Sequence, residues 1–292
     1  MSITRERGAA LATGTIGTNR RAGPATVFGV EMSKLVGQTK VRAVTLVLLL
    51  APWVFILLIL HQDRLPLETL YGRYLKTTGF AVPMVVLVSA AQWVFPLLAA
   101  FISGDIFSAE DNHGTFKTIL TRSASRNAVF WGKAGAAAVA TIALTLLLAL
   151  SSLLAGLVTV GAEPFITVGS VEVPSMIHSL DMVAVAWLSV LPPLIGFAAI
   201  ALCVSVLTRI SVLGVLVPVV IGLVFQMYTF LNAWDTVRHL LLNWPMNAWR
   251  GLLDDPSYAA PFERGLVVSA AYTVVFLAIA YVAFRRRDVK EG

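Results

Sequence analysis

The stretch SAEDNHGTFKTILTRSASR, residues 108–126, gathers Glu110, Asp111, Lys117, Arg122 and Arg126 between two runs that are almost wholly apolar. Phe116, Ile119 and Leu120 recur at helical spacing, so one face of a helix here is apolar and the rest is charged. Asp111 or Asn112 can cap its start, where negative charge also suits the helix dipole, and Ser123 or Ser125 can cap the helix that follows. Such an element can dock into a groove on a partner, or rest its apolar face on a bilayer. Catalytic chemistry is hard to find elsewhere. No GxxxxGK(S/T) phosphate loop and no HExxH zinc helix occurs. His61, His113, His178 and His239 are scattered over different loops, which argues against a shared metal site. The single Cys203 lies in an apolar run and reads as a small buried hydrophobe. Ser103-Gly104-Asp105 hints at a membrane aspartyl protease, but no second membrane aspartate stands ready to divide the acid and base roles.

The elements that position the polar stretch are spans. The chain has 292 residues, 58% hydrophobic and 13% charged, with mean hydropathy +0.81; a soluble domain carries about 25% charged residues. Spanning a bilayer takes about 20 mostly apolar residues. Six runs qualify: 42–60, 80–102, 134–161, 182–207, 212–232 and 265–284. Sixteen of the 22 lysines and arginines fall on one side if the N-terminus is cytoplasmic, giving net +9 inside and −3 outside. The positive-inside rule therefore places both termini in the cytoplasm. Topology accounts for the basic balance, and no nucleic-acid partner is implied.

Residues 1–26, rich in Gly, Thr and Arg, lack an apolar signal core and read as a disordered cytoplasmic arm. Residues 27–41 mix Val27, Val30, Met32 and Leu35 with Glu31, Lys34 and Lys40, as suits a helix lying in the inner interface. Pro52 and Trp53 suggest a kink in the first span. Thr208–Ser211 is so short a link that spans four and five form an antiparallel hairpin. Residues 233–264 carry three tryptophans and two leucine patches too short to span, which reads as a partly re-entrant or interfacial helical segment. No span has an ionisable residue in its middle, which disfavours an ion-coupled carrier. Gln92 and Gln226 are the strongly polar residues there. Each reads either as an interhelical hydrogen bond or, less simply, as lining of a substrate path.

The run GDIFSAEDNHGTFKTILTRSASRNAVFWGKAGAAAV resembles the segment after the second span in ABC type-2 exporter permeases. Glu110, the Gly114-Thr115 pair, Phe116, Leu120, Thr121, Ser125, Arg126 and the Gly132-Lys133 pair carry the likeness. The family often has Pro where Arg122-Ser123 stands, so that turn departs. The closing AYVAFRRRDV and the opening VFGVEMSKLVGQTKVRAV are similar to the family's last helix and its N-terminal elbow helix. The resemblance implies an all-α membrane protein: six transmembrane helices, an elbow helix at 27–41, and a cytoplasmic coupling helix at 106–122. Residues 42–292 then form one transmembrane domain. It further implies two cytosolic ATPase subunits as partners, a second permease copy or paralogue, surrounding lipid, and ATP with Mg in the ATPase and no cofactor in this chain. Glu110, Gly114, Thr115, Phe116, Ile119, Leu120 and Arg126 would couple to the ATPase. The cargo would be apolar or amphiphilic: a drug, a lipid or an antimicrobial peptide. A peptide-sensing or immunity permease shares these features. An energy-independent channel or scaffold would need no docking helix, and a membrane-embedded enzyme would need a catalytic constellation that the spans lack. The Arg-rich arm and the Ala, Gly, Val and Leu bias fit a high-GC bacterium, and the expected location is its inner (plasma) membrane.

Overall fold

A computed structural model of the chain describes residues 22–62, 71–108, 124–164, 175–231, 235–254 and 257–286. Helices dominate them: α1 (Pro24–Gly37), α2 (Thr39–Leu60), α3 (Ala81–Gln92), α4 (Val94–Ser103), α5 (Arg126–Thr159), α6 (Met176–Ser189), α7 (Leu191–Thr208), α8 (Ser211–Phe230) and α9 (Ala260–Arg286). Five helical runs are long and apolar enough to cross a membrane, or up to six if the bent pair α3–α4 counts as one. This is the profile of a multi-pass membrane protein.

The boundaries differ from the sequence expectations where prolines and caps intervene. The second run, expected as one span over 80–102, is two helices bent by 63° around Trp93. Pro96 explains the break, because its ring meets the carbonyl of Gln92 and it has no N–H to bond back. Pro192 and Pro193 do the same between α6 and α7, where Val190 interrupts the helix. The third helix begins at Arg126 rather than 134, since Ser125 caps it by accepting from the Ala128 amide at 3.2 Å. Ser175 likewise caps α6 through the His178 amide, moving that start from 182 to 176. The helix expected over 27–41 runs from Pro24 to Gly37, breaks at Gln38 (φ −71°, ψ 128°), and leaves Thr39–Val41 to α2. The arm drawn as 1–26 therefore ends before Pro24; residues 1–21 lie outside the described residues.

Helix α7 is the hub. It packs against α9, α8, α4 and α5, and 72% of the apolar window in the Met176–Thr208 run is buried, against 11% in α9. The turn after α7 is as tight as expected: Arg209 adopts a left-handed conformation (φ 61°, ψ 13°) and α8 starts at Ser211. In α2, Pro52 sits inside a continuous helix, and Ser151 of α5 donates to the Leu49 carbonyl at 2.6 Å. The carbonyl that Pro52 deprives of its helical donor is that of Leu48, one residue earlier, so the Ser151 bond serves as a tie between α5 and α2.

Ala22 meets Ala124, and Arg126 meets Arg285, at one end of the bundle, here called basal. At the opposite, distal end, residues 235–254 form single turns, Asp235–Arg238, Pro245–Asn247 and Trp249–Leu252, instead of a spanning helix. Leu242, Met246 and Trp249 are fully buried. A Cβ on Gly196 of α7 would lie 2.9 Å from the Leu242 side chain, so the glycine seats this cap closely. Trp249 stacks on Tyr71 with centroids 6.0 Å apart. Burial pushes the Tyr71 hydroxyl up to about 12, opposed by the nearby Arg250 charge.

Candidate functional site

The basal end holds both of the buried charged side chains among the described residues, Glu31 and Lys133, together with Ser108 and Ala124, the residues on either side of 109–123. Residues 109–123 lie outside the described residues. Glu110, Gly114, Thr115, Phe116, Ile119 and Leu120 are therefore not placed, whereas Arg126 is.

The outgoing end is pinned from three directions. At Gly104 the end of α4 meets the start of α8, backbone to backbone: a Cβ on Gly104 would lie 2.3 Å from the Gly214 carbonyl oxygen, and one on Gly214 would lie 2.1 Å from that of Gly104. Only glycine at both positions permits this approach. Four residues on, the buried Ser108 amide donates to Ser205 Oγ of α7 at 3.2 Å. Ser108 Oγ lies 3.0 Å from Ser211 Oγ at the start of α8 and 3.3 Å from Ser205 Oγ. The hydroxyl trio thus ties the outgoing chain to the α7–α8 hairpin. On the other flank Lys133 Nζ of α5 donates to the Ile106 carbonyl at 3.0 Å and stands 5.6 Å from the centre of the Phe107 ring.

Lys133 also explains how α1 is held. It is 1% exposed, and its ammonium forms an ion pair with Glu31 Oε2 at 2.9 Å. Glu31, 6% exposed, accepts a second bond from Lys34 at 2.7 Å. An unpaired charge here would be costly, so the pair and its hydrogen bonds exist together or not at all. Next to it, Gly132 lets α1 approach: a Cβ there would fall 2.7 Å from the Val27 side chain. The Gly132-Lys133 dipeptide thus does two jobs, close approach and charge pairing. Lys40 at the start of α2 pairs with Asp105, so the aspartate of Ser-Gly-Asp is held in an ion pair.

The returning end is fixed too. Ala124 forms an isolated parallel bridge with Ala22. Arg126 Nη1 donates to the Arg285 carbonyl at 2.6 Å, capping the end of α9. Tyr281 of α9 donates from its hydroxyl to Asn127 Oδ1 at 2.9 Å. Between the two ends, Phe107, Phe130 and Phe284 form a triangle with centroids 5.4 to 5.8 Å apart, and Tyr281 joins Phe130 at 5.2 Å. Aromatic pairs of this kind add about 0.5–1.5 kcal/mol beyond their buried area.

The two glutamines sit elsewhere. Gln92 is half-buried at the α3–α4 bend. Gln226 Oε1 of α8 accepts from Asn243 Nδ2 of the distal cap at 3.1 Å, and the same amide reaches the Gly222 carbonyl. Gln226 thus fastens the cap to a span. Sequence reasoning missed the Glu31–Lys133 pair, the serine trio and the phenylalanine triangle. A lysine in an Ala-rich helix was the one visible signal. Its partner, 102 positions away, gave none.

Among the described residues, no three His, Cys, Asp or Glu side chains gather as metal ligands would. A family of proteins of unknown function, DUF2705, matches residues 49–290, and no curated protein matches the chain. The match spans most of the sequence, so the chain belongs to that family.

Proposed function

We propose that this family member is the transmembrane permease subunit of an ATP-driven ABC exporter of the type-2 class. In this reading the basal end faces the cytoplasm, α1 is the interfacial elbow, and residues 106–122 are the coupling helix seated on a separate ATPase subunit. The chain contributes no nucleotide site; two ATPase subunits carry ATP and Mg, and a second permease copy or paralogue completes the path. Glu110, Gly114, Thr115, Phe116, Ile119, Leu120 and Arg126 contact or brace the ATPase. The cargo is apolar or amphiphilic, because the spans offer few polar partners.

One observation carries the reading. The polar segment is bracketed by two anchored ends, and each end is bonded to different helices: Ser108 to α7 and α8, Ile106 to α5, Arg126 to α9. A push on residues 109–123 is thereby delivered to most of the bundle, as a coupling device requires. A free loop would need no such bonds. The buried aromatic cap at the distal end favours a second reading, in which ATP-driven movement senses or removes a membrane-active peptide at the outer face.

The test is a pull-down of tagged protein from its native membrane in mild detergent, read by mass spectrometry. The expected result is a near-stoichiometric chain bearing a phosphate-binding loop, lost in Phe116→Asp while the variant's own melting is unchanged. If the protein comes down alone or only with itself, the permease reading fails and a channel or scaffold takes its place.

A further inference from the structure

A cavity of about 220 Å³ lies between α4, α5, α7 and α9 on the basal side of the bundle. Its wall is made of small and apolar residues, among them Gly135, Ala138, Ala199 and Leu277, with Trp131 at one edge. Trp131 is half-exposed, and Leu277 and Ala138 are partly exposed, so the cavity opens sideways between α5 and α9. One polar side chain breaks the apolar wall. Ser103 is fully buried, and its Oγ has no hydrogen-bond partner. A helical serine ordinarily satisfies itself on the carbonyl four residues back. Ser108, Ser179 and Ser269 do so in this protein, and Ser103 does not. A buried hydroxyl left without a partner costs about 1–3 kcal/mol, so something else is expected to meet it.

We infer that this cavity binds the acyl chain of a bilayer glycerophospholipid, with Ser103 Oγ donating to the ester carbonyl. Three observations select that occupant. The opening is lateral, towards the hydrocarbon that must surround these helices. The buried polar content is one hydroxyl, with the Trp131 indole at the half-exposed edge, which suits one ester and leaves a charged or multiply polar cargo unsatisfied. The depth is right: Ser103 stands two residues from Asp105 and its ion pair with Lys40, at the charged layer. From there the wall runs inward along α5 from Trp131 to Ala138, roughly 10 Å at the helical rise, the direction a tail takes below its headgroup. The larger groove between α1, α2 and α5, about 460 Å³, lacks such a signal, because Thr45 bonds the Val41 carbonyl and Arg42 Nε bonds that of Val36. The lipid site stands whether or not an ATPase powers the chain.

The full chain is reconstituted in nanodiscs containing phosphatidylcholine with a diazirine in one acyl chain, irradiated, digested and mapped by mass spectrometry. Adducts are expected on the 131–138 and 277 peptides above the level on lipid-facing α2. Ala138→Phe, which fills the partly exposed mouth, should abolish them. Ser103→Ala should lower them about two- to tenfold, the worth of one hydrogen bond, with melting retained in both variants. Equal labelling of wild type and Ser103→Ala overturns recognition by the hydroxyl. Labelling spread evenly over α2, α8 and α9 overturns the site itself.

Discussion

The basal end of this bundle is held chiefly by charge, hydroxyls and bare backbone, whereas the distal end is held chiefly by tryptophan, tyrosine and leucine, with one amide tie from Asn243 to Gln226 and the Gly222 carbonyl. Glu31, Lys133, Ser108 and Ser205 make directional bonds that tie α1, α5 and α7 to the chain end at Ile106 and Ser108. Leu242, Met246 and Trp249 fill space beneath single turns, with Tyr71 stacked beside them. Directional bonds are all-or-none: they fix one arrangement and penalise any other that leaves a partner buried alone. Apolar contacts are forgiving, and a cap built from them can shift without stranding a charge. On the proposed permease reading, the basal end would transmit a defined displacement and the distal end would adapt to what it meets.

The sharpest way to break the contrast is to strand Glu31. Lys133→Met should cost about 3–5 kcal/mol, reduced to the extent that Lys34 compensates. Thermal melting of the purified protein checks it, and adding Glu31→Gln should recover much of the loss. A single Lys133→Met that melts like wild type would mean the pair holds nothing. The distal end should fail differently, with pH. Tyr71 titrates at about 12 when folded and near 10 when unfolded, so the folded state keeps the proton that the unfolded state loses. Its contribution is intact below pH 10 and disappears as pH rises towards 12, roughly 2–3 kcal/mol in all. Tyr71→Phe should flatten that alkaline loss in a melting series from pH 8 to 12; an unaltered series would remove Tyr71 as its cause.

Smaller effects sharpen the comparison. Ser205→Ala removes the acceptor for the Ser108 amide and should cost about 1–2 kcal/mol, seen as faster hydrogen exchange at Ser108 with the distal amides unaffected. Exchange rising equally at both ends would show that the bundle opens as one unit. Arg209 sits in a left-handed turn that glycine adopts freely, so Arg209→Gly should raise stability by up to about 1 kcal/mol. Melting that falls would assign the Arg209 side chain a contact stronger than the strain.

Hydropathy alone made the spans legible, because a run such as 42–60 has few alternatives to a buried helix. The helix ends were less so. Charges at Arg126 and Lys133 look like loop residues, yet α5 runs through both, since one caps a carbonyl of α9 and the other is paired inside. The bend at Trp93 was hidden in an unbroken apolar run, where Pro96 was the only sign. The apolar face of Phe116, Ile119 and Leu120 expected from helical spacing lies outside the described residues, while the bonds that bracket residues 109–123 join positions between 27 and 159 residues apart. No local pattern encodes such pairs.

The contact between Gly104 and Gly214 has a mechanical consequence. Two backbones that touch with nothing between them cannot be drawn closer, and any side chain inserted there would force them apart. They can still roll about that point, within the limit set two turns further on, where the Pro96 ring of α4 lies against Gly222 of α8. Helices α4 and α8 therefore meet at a fulcrum of fixed separation beside the outgoing end of residues 109–123. A small tilt imposed there grows along the rest of α8, from Gly214 to Phe230, into a larger sideways swing at the far end.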